Sequence, residues 1–230
     1  MLRGLFIAGT DTGVGKTEVA RAVLQLLAAR GERPRALKPV ETGCAPDAPE
    51  DALALRAACG PPNDALPLDA VCPHRFLLPA APLVAAEAEG RVVERAPIDA
   101  CVRAARDADQ PLIVEAAGGL LVPLWRAGGL FTNLDLAASL GLPVLLVGRA
   151  GLGTINHCAL SALALAQRRI PLLAIVLNRT SPESDPTLQT NRAAIAELTG
   201  ARVLGPGPHQ PERELRDRAL RQLLGALEFC

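Results

Sequence analysis

Residues 8–19 read AGTDTGVGKTEV, a glycine-rich turn between an apolar run and a stretch with helical periodicity. The common phosphate-binding loop has a glycine five residues before the glycine of Gly-Lys-Thr. Here that position is Thr10, and the matching Gly9 stands one place too early. The stretch therefore raises the question of whether it still forms a phosphate cradle, and for which reaction.

The surroundings of this turn are those that a phosphate cradle needs. An apolar strand candidate precedes it, Gly13 and Gly15 lie within it, and a helical pattern opens at Lys16 and Thr17. Glycines let backbone N–H groups wrap an anion, and a helix N-terminus adds positive partial charge. Lys16 could reach the β- and γ-phosphates and Thr17 could ligate Mg²⁺. An ordinary glycine turn is the alternative, and the Gly-Lys-Thr sequence argues against it.

Composition excludes several classes of protein. The 24 basic and 24 acidic residues cancel, and no long run of one sign suggests nucleic-acid binding. No stretch approaches the roughly 20 uncharged apolar residues that a membrane span needs. The beginning, MLRGLFIAGTD, predicts a first strand rather than a signal peptide, so we expect a cytoplasmic protein. The six scattered cysteines contain no C-x-x-C pair and predict structural or idle thiols.

Lysine is almost absent from this chain. Only Lys16 and Lys38 are lysines among the 24 basic residues, and the others are arginines. A compact ammonium does some things that a planar guanidinium cannot, so the two lysines are candidates for specific roles.

Short apolar runs alternate with helical patterns along the whole chain, from LRGLFIA to a last helix that begins near Glu212. RPRALKPV is a second strand candidate. Continuous apolar strands are typical of sheets covered on both faces. The pattern predicts an α/β fold with a doubly wound, mostly parallel sheet between layers of helices. It predicts one domain over residues 1–230.

Several polar residues follow strand candidates, where ligands bind in open α/β sheets. Glu115 ends the run PLIVE and is a candidate Mg²⁺ ligand, with a solvated acid as the alternative. Lys38 ends the second strand candidate, with Thr42 close behind it. Asp51 opens a short helix, where an acid is more often a cap or a first-turn residue than a metal ligand.

A second glycine turn, RAGLGTINH at residues 149–157, also leads from a strand into a helix. Its free N–H groups could receive another anion, such as a carboxylate. Many such turns contain glycine, so this signal is weak by itself.

Taken in order, the motifs GTDTGVGKT, KPVETG, DALAL, VEAAGGLLVPL, GLGTINH and VLN resemble the dethiobiotin synthetase family of P-loop NTPases. The resemblance implies a homodimer with its active site at the subunit interface and no nucleic-acid or membrane partner. It implies a reaction of 7,8-diaminopelargonate, CO₂ and ATP that gives dethiobiotin, ADP and phosphate, with Mg²⁺. In the family the amine forms a carbamate, ATP phosphorylates it, and the second amine closes the ring.

The resemblance also implies residue roles. Lys38 and Lys16 would be catalytic, and Thr17, Asp51 and Glu115 would hold the metal. The implied substrate contacts are Thr12, Thr42, Gly151, Leu152, Gly153, Thr154 and Asn156. The implied ATP contacts are Gly13, Val14, Gly15, Lys16, Thr17, Glu18, Asp51, Glu115, Ala116, Ala117, Gly118, Asn178, Arg179, Gly207, Pro208, His209 and Glu212. Ala116, Arg179 and Leu83 differ from the residues that the family usually has.

Three other functions share part of this sequence pattern. Min- or Par-like ATPase switches carry a lysine five residues before the loop lysine, where this chain has Asp11. A membrane-binding tail would suit such a switch, but the C-terminal ERELRDRALRQLLGALEF is better explained by core or dimer packing. An amidoligase of the cobyrinic acid type would normally add a glutaminase domain. A plain nucleotide-binding module is the remaining alternative.

Overall fold

The computed structural model describes residues 4–179, 186–207, 212–225 and 227. Within these ranges, strands and α-helices alternate along most of the chain. The strands are β1 Gly4–Gly9, β2 Arg35–Leu37, β3 Val40–Thr42, β4 His74–Phe76, β5 Leu112–Gly119, β6 Pro123–Arg126, β7 Leu130–Thr132, β8 Val144–Arg149, β9 Leu172–Asn178 and β10 Val203–Leu204. The helices are α1 Lys16–Ala29, α2 Glu50–Ala58, α3 Pro82–Ala88, α4 Arg95–Asp107, α5 Asn133–Leu140, α6 Thr154–Gln167, α7 Leu188–Thr199 and α8 Arg213–Leu224.

The central sheet has six strands in the order β10-β9-β8-β1-β5-β2. Every pairing in it is parallel, which confirms the predicted sheet type. Strand β1 lies between β5 and β8, so connections leave it towards both sides of the sheet. In such folds ligands bind beyond the carboxyl end of the strands, where the winding direction changes. The glycine-rich turn after β1 lies at this position.

Helices cover both faces of the sheet, as the continuous apolar strands predict. Leu5 and Ile7 of β1 face a core that includes α1, α2 and α8. Phe6 and Ala8, on the other face of the same strand, pack into a core with residues of α3 to α7. The fold is therefore a three-layer α/β/α arrangement. Deleting a buried side chain of this size typically costs about 2–5 kcal/mol of stability, so these cores stabilise the sheet that carries the glycine-rich turn.

The prediction of one continuous strand over RPRALKPV is wrong. Strand β2 ends at Leu37, and β3 begins only at Val40 and pairs with β4 in a separate two-stranded sheet. Pro39 has no N–H to donate to a sheet, which explains a break at this place. The Lys38 N–H instead donates to Val71 O at 2.7 Å. The break carries Lys38 out of the sheet and towards the cleft described below.

Helix α8 packs against α1 in the interior. Leu220 and Leu224 are buried there, and Arg21 of α1 forms a buried ion pair with Asp217 of α8 at 2.5 Å. This agrees with core packing as the explanation of the amphipathic C-terminal sequence. None of the described helices has the length and apolar character needed to cross a membrane.

Cys44, Cys59, Cys72, Cys101 and Cys158 are free thiols, and Cys230 lies outside the described residues. Burial raises the pKa of Cys59 to about 12. These thiols therefore fit the predicted structural role.

Candidate functional site

The glycine-rich turn forms a closed loop around the side chain of Lys16. Lys16 Nζ donates to Asp11 O at 2.9 Å, so the amine folds back under the loop. A Cβ on Gly9 would lie 2.7 Å from Asp11 O and 3.0 Å from Lys16 Nζ. Gly13 and Gly15 have φ values of 72° and 90°, which favour glycine. A glycine is thus needed at position 9, one place earlier than in the common loop. The backbone there passes so close to the Lys16 side chain and Asp11 O that a Cβ does not fit.

Four side chains from separate elements meet beside this loop. Lys38 Nζ lies 2.8 Å from Asp51 Oδ2 and 2.5 Å from Glu115 Oε1. Thr17 Oγ1, in the first turn of α1, lies 2.9 Å from Asp51 Oδ1 and 2.9 Å from Glu115 Oε1. One hydroxyl proton can serve only one carboxylate at a time. The cluster therefore has more acceptors than donors and favours an added cation.

Asp51 illustrates a choice that the sequence left open. Its position at the start of α2 suits either a helix cap or a ligand. Pro49 is the N-cap of α2, and no side chain of the cap residue bonds to the helix. The Asp51 carboxylate instead points to Lys38 and Thr17. The geometry therefore favours membership of the cluster over capping.

Burial and neighbouring charges set the protonation of the two lysines differently. Burial alone would lower the pKa of Lys38, but Glu115 and Asp51 hold it above the usual range. The pKa of Lys16 is lowered, mainly by burial and then by the charge of Lys38. For Asp51, burial would raise the pKa, but Lys38 brings it below the usual value. Lys38 therefore remains an ammonium at neutral pH, next to an ionised Asp51.

The oxygen atoms of Thr17, Asp51 and Glu115 fit a magnesium ion. Mg²⁺ takes oxygen ligands, commonly one or two carboxylates together with substrate phosphate oxygens. Glu115 is only 1% exposed, and its Oε2 is buried without a hydrogen-bond partner. Within the described part of the chain, no group of three or more His, Cys, Asp or Glu could hold a metal ion. Two carboxylates and one hydroxyl are thus the protein ligands that this cluster can offer.

The cluster opens into a cleft of about 700 Å³. Lys16 and Lys38 both line it, as do most of the predicted phosphate, metal and substrate residues: Thr12, Gly13, Gly15, Thr17, Glu18, Thr42, Asp51, Glu115, Ala117 and Gly118. Both lysines therefore face one space, as the proposed chemistry requires.

Sequence reasoning assigned no role to three residues that also line the cleft: Val40, Glu41 and Val122. Residues 79–82, which lead into the first turn of α3 and directly precede Leu83, line it as well. The segment 79–82 is PAAP, which by itself indicates only a turn before a helix. Pro79 contacts the loop at Gly43, where an added Cβ would lie 2.9 Å from Pro79 Cβ. Only the packing of α3 against β3 brings this apolar rim to the cleft.

The predicted base-reading residues lie apart from this cleft. Asn178 is buried, and its Nδ2 donates to Val14 O at 3.1 Å and to Glu18 Oε2 at 3.2 Å. A Cβ on Gly15 would lie 2.0 Å from Asn178 Nδ2, so only glycine fits there. Arg179 and Gly207 line a separate small hollow with Asn178.

The remaining predicted nucleotide residues differ in exposure. Glu212 is exposed at the N-cap of α8, and the side chains of Val14 and Ala116 are buried. Val14 and Ala116 could thus contribute only backbone atoms to a ligand. Pro208 and His209 lie outside the described residues.

The second glycine turn leads into α6, and Gly153 is its N-cap. Asn191 holds this turn, donating to Ala150 O at 3.0 Å and to Gly151 O at 3.1 Å. All five predicted substrate residues of the turn are described, and none of them lines the cleft of their own chain: Gly151, Leu152, Gly153, Thr154 and Asn156.

Comparison with known proteins gives one consistent result. A family model described as "AAA domain" matches residues 3–214. The ATP-dependent dethiobiotin synthetase BioD of Anaeromyxobacter dehalogenans (strain 2CP-C) is 48% identical over 98% of each chain. The same enzyme of Anaeromyxobacter sp. (strain Fw109-5) is 47% identical over 99% of this chain and 100% of its own. That of Haloferax mediterranei is 41% identical over 86% of this chain and 80% of its own.

Such identity over nearly the full length confirms the resemblance carried by the phosphate loop, the two lysines and the two acids. It also excludes the Min- or Par-like switch as the better explanation of the loop. This chain belongs to the ATP-dependent dethiobiotin synthetase family.

Proposed function

We propose that the chain joins CO₂ to 7,8-diaminopelargonate and closes the ring to dethiobiotin, with conversion of ATP to ADP and phosphate. The observation that carries the proposal is the meeting of Lys16, Lys38, Thr17, Asp51 and Glu115 at one cleft. The membership of the family agrees with it. We also propose that residues 1–230 act as one domain, since β1 and β10 belong to one sheet.

The nucleotide would lie with its phosphates in the loop after β1. Backbone N–H groups of residues 13–17 and the Lys16 ammonium would bind the β- and γ-phosphates. Thr17, Asp51 and Glu115 would hold Mg²⁺. The ion would supply positive charge that offsets the repulsion between the phosphates and an anionic substrate. Thr17 is well placed for this role because its hydroxyl lies between both carboxylates.

The reaction has three balanced steps. One amine of the substrate attacks CO₂ and loses a proton, which gives a carbamate. A carbamate oxygen then attacks the γ-phosphorus of ATP, so the phosphoryl group is transferred and ADP leaves. The second amine attacks the carbamate carbon, expels phosphate and loses a proton as the ring closes. Positioning and charge neutralisation provide most of the catalysis, since phosphoryl transfer needs little covalent help from a protein.

Lys38 would stabilise the carbamate and its phosphorylated form. Its ammonium is buried, it is held charged by two carboxylates, and it faces the same space as Lys16. An amine attacks CO₂ only in its neutral form, and free alkyl amines have pKa values near ~10. The nearby lysine charges would favour proton loss from that amine. Thr12 and Thr42 would contribute polar contacts to the substrate, and residues 79–82 at the start of α3 would cover its carbon chain.

The adenine would lie near Asn178 and Arg179, followed by residues 207–209 and Glu212. Asn178 Nδ2 is occupied by Val14 O and Glu18. Its side-chain oxygen would therefore be the atom that accepts from the amino group of the base. Arg179 and Arg216 line the same hollow. Arg216 Nε forms an ion pair with Glu18 Oε1 at 2.9 Å, but the angle does not allow a hydrogen bond.

We propose a homodimer in which the turn at residues 151–153 reaches the cleft of the neighbouring subunit. Support comes from the surface of α6. Asn156, Leu160 and Leu163 share one helical face, and the two leucines are 57% and 56% exposed. Leu152, in the turn itself, is 82% exposed. An apolar face beside a predicted carboxylate-binding turn is typical of an interface.

Replacing Leu160 and Leu163 together by aspartate is expected to shift the protein from the mass of two chains to that of one. The physical reason is that two charges would be buried without partners if the interface formed. Analytical ultracentrifugation would measure the mass. Turnover should fall in proportion to the loss of dimer, because the turn at residues 151–153 would no longer reach a neighbouring cleft. Val92→Asp is the control, since Val92 is 69% exposed and lies in the segment between α3 and α4. A dimer that persists in the double variant would reject this interface.

The function is tested by supplying the chain with Mg-ATP, diaminopelargonate and labelled bicarbonate. We expect an acid-stable labelled product and one ADP for each product formed, both dependent on the diamine. ATP hydrolysis that does not depend on the diamine but is stimulated by lipid vesicles would instead support the function of a Min- or Par-like ATPase switch. Binding of ATP with no turnover would support a nucleotide-binding module.

The cytoplasmic location of the protein stays a prediction.

A further inference from the structure

Glu41 is a buried acid in the cleft that the proposed chemistry leaves without a role. It lies in β3 and is 5% exposed. Its two carboxylate oxygens each accept a backbone N–H from the start of α2. Asp51 N donates to Oε1 at 3.0 Å, and Ala52 N donates to Oε2 at 2.8 Å.

The start of α2 needs such a partner. The first N–H groups of a helix have no acceptor within the helix, and a side chain at the N-cap normally supplies one. The N-cap of α2 is Pro49, whose side chain has no acceptor. Glu41 supplies two acceptors from a different element, and a negative charge at this end also suits the helix dipole. Glu41 thus clamps the first turn of α2 to β3.

The clamped residue is the one that reaches the cluster. The Asp51 N–H is held by Glu41, while the Asp51 carboxylate lies 2.8 Å from Lys38 Nζ and 2.9 Å from Thr17 Oγ1. A shift of the first turn of α2 would move this carboxylate relative to Lys38 and Thr17. A misplacement of about 1 Å in a reacting constellation can cost roughly 100-fold in rate.

We propose that Glu41 is a positioning residue that sets the place of the Asp51 carboxylate beside Lys38 and Thr17 by clamping the N-terminus of α2. This assignment rests on the proposed role of Asp51 in phosphoryl transfer. A carboxylate suits the clamp because it only accepts hydrogen bonds. A glutamine would turn an N–H donor towards one of the two backbone N–H groups and could satisfy only the other.

The test compares Glu41→Gln with Glu50→Gln. Glu50 is an exposed acid in the same first turn, so its variant removes the same charge without touching the clamp. We expect Glu41→Gln to lower kcat by about 10- to 100-fold, the usual range for residues that orient a ligand group. The KM for ATP should change much less, and Glu50→Gln should behave like the wild type.

Hydrogen exchange of the backbone amides gives a second readout that does not depend on activity. In Glu41→Gln, the amides of Asp51 and Ala52 should exchange faster, while amides in β1 and β5 keep their wild-type rates. Glu41→Asp keeps the charge but is one methylene shorter, so it should hold at most one N–H and give intermediate turnover.

Unchanged exchange at Asp51 and Ala52, or turnover equal to that of Glu50→Gln, would overturn the proposal. Faster exchange throughout the sheet in both Glu41 variants would also overturn it, because the role would then be general stability. If the wild-type chain forms no dethiobiotin, the proposed function falls, and with it the catalytic consequence of the clamp. The exchange rates would still report the clamp itself.

Discussion

Replacing Lys38 by alanine is expected to lower turnover by about 1,000-fold, on the scale of removing a cation from a phosphoryl-transfer site. ATP affinity should stay close to the wild-type value. The reason is that Lys38 bonds to the carboxylates of Asp51 and Glu115 and not to the phosphate loop, whereas Lys16 lies under that loop. Single-turnover measurements of ADP and product would give the rate, and isothermal titration would give the affinity.

Folding must be controlled in this experiment. Removing one partner of a buried ion pair typically costs about 3–5 kcal/mol, because the other charge stays buried. Thermal unfolding should therefore be measured with and without ATP. Arg35→Ala is a control for charge, since it removes a cation from the first residue of β2, the strand that Lys38 follows. Near-normal turnover in folded Lys38→Ala would reject the role of Lys38.

Replacing Lys16 by alanine is expected to weaken ATP binding and turnover together. Lys16 closes the phosphate loop through its bond to Asp11 O, and its ammonium would contact the phosphates in ground state and transition state alike. Hydrogen bonds to charged groups contribute about 1.5–3 kcal/mol, so ATP affinity should fall by roughly 10- to 100-fold. Turnover should fall further, because charge on the transferred group must also be neutralised.

The contrast between the two lysines is the informative result. Isothermal titration should separate Lys16→Ala, which binds ATP weakly, from Lys38→Ala, which binds it well. Arg30→Ala, at the opposite end of α1 from Lys16, is the control for loss of one positive charge. An unchanged affinity and rate in Lys16→Ala would mean that the loop binds its anion through backbone groups alone.

Local sequence was enough to predict the phosphate loop and the fold class. Gly13, Gly15, Lys16 and Thr17 lie within five consecutive positions, so their geometry follows from one turn and one helix start. The alternation of apolar strands with amphipathic helices is likewise a short-range signal, and it predicted the parallel sheet. Glu115 was identified for the same reason, as an acid that follows a buried run.

Contacts between distant positions needed the tertiary structure. Lys38 and Glu115 are 77 positions apart, and Asn178 and Val14 are 164 apart, so their meeting depends on the strand order β9-β8-β1-β5-β2. The position of Asp51 in the sequence favours a helix-capping or first-turn role, whereas in the structure its carboxylate accepts a hydrogen bond from Lys38. Glu41 lies in the KPVETG motif, but the motif did not indicate its role, since a bond to the backbone of another element leaves no periodic pattern in the sequence.

The sequence by itself thus determined the chemistry available: a phosphate loop, two lysines and acids at strand and helix ends. Short-range periodicity and spacing are enough for this, because each motif is built from neighbouring residues. The tertiary structure alone decided which of these groups share a cleft, where Lys38 leaves the sheet, and which acid holds α2 in place. Those features depend on how separate elements pack, and packing is set by the whole core rather than by any one segment.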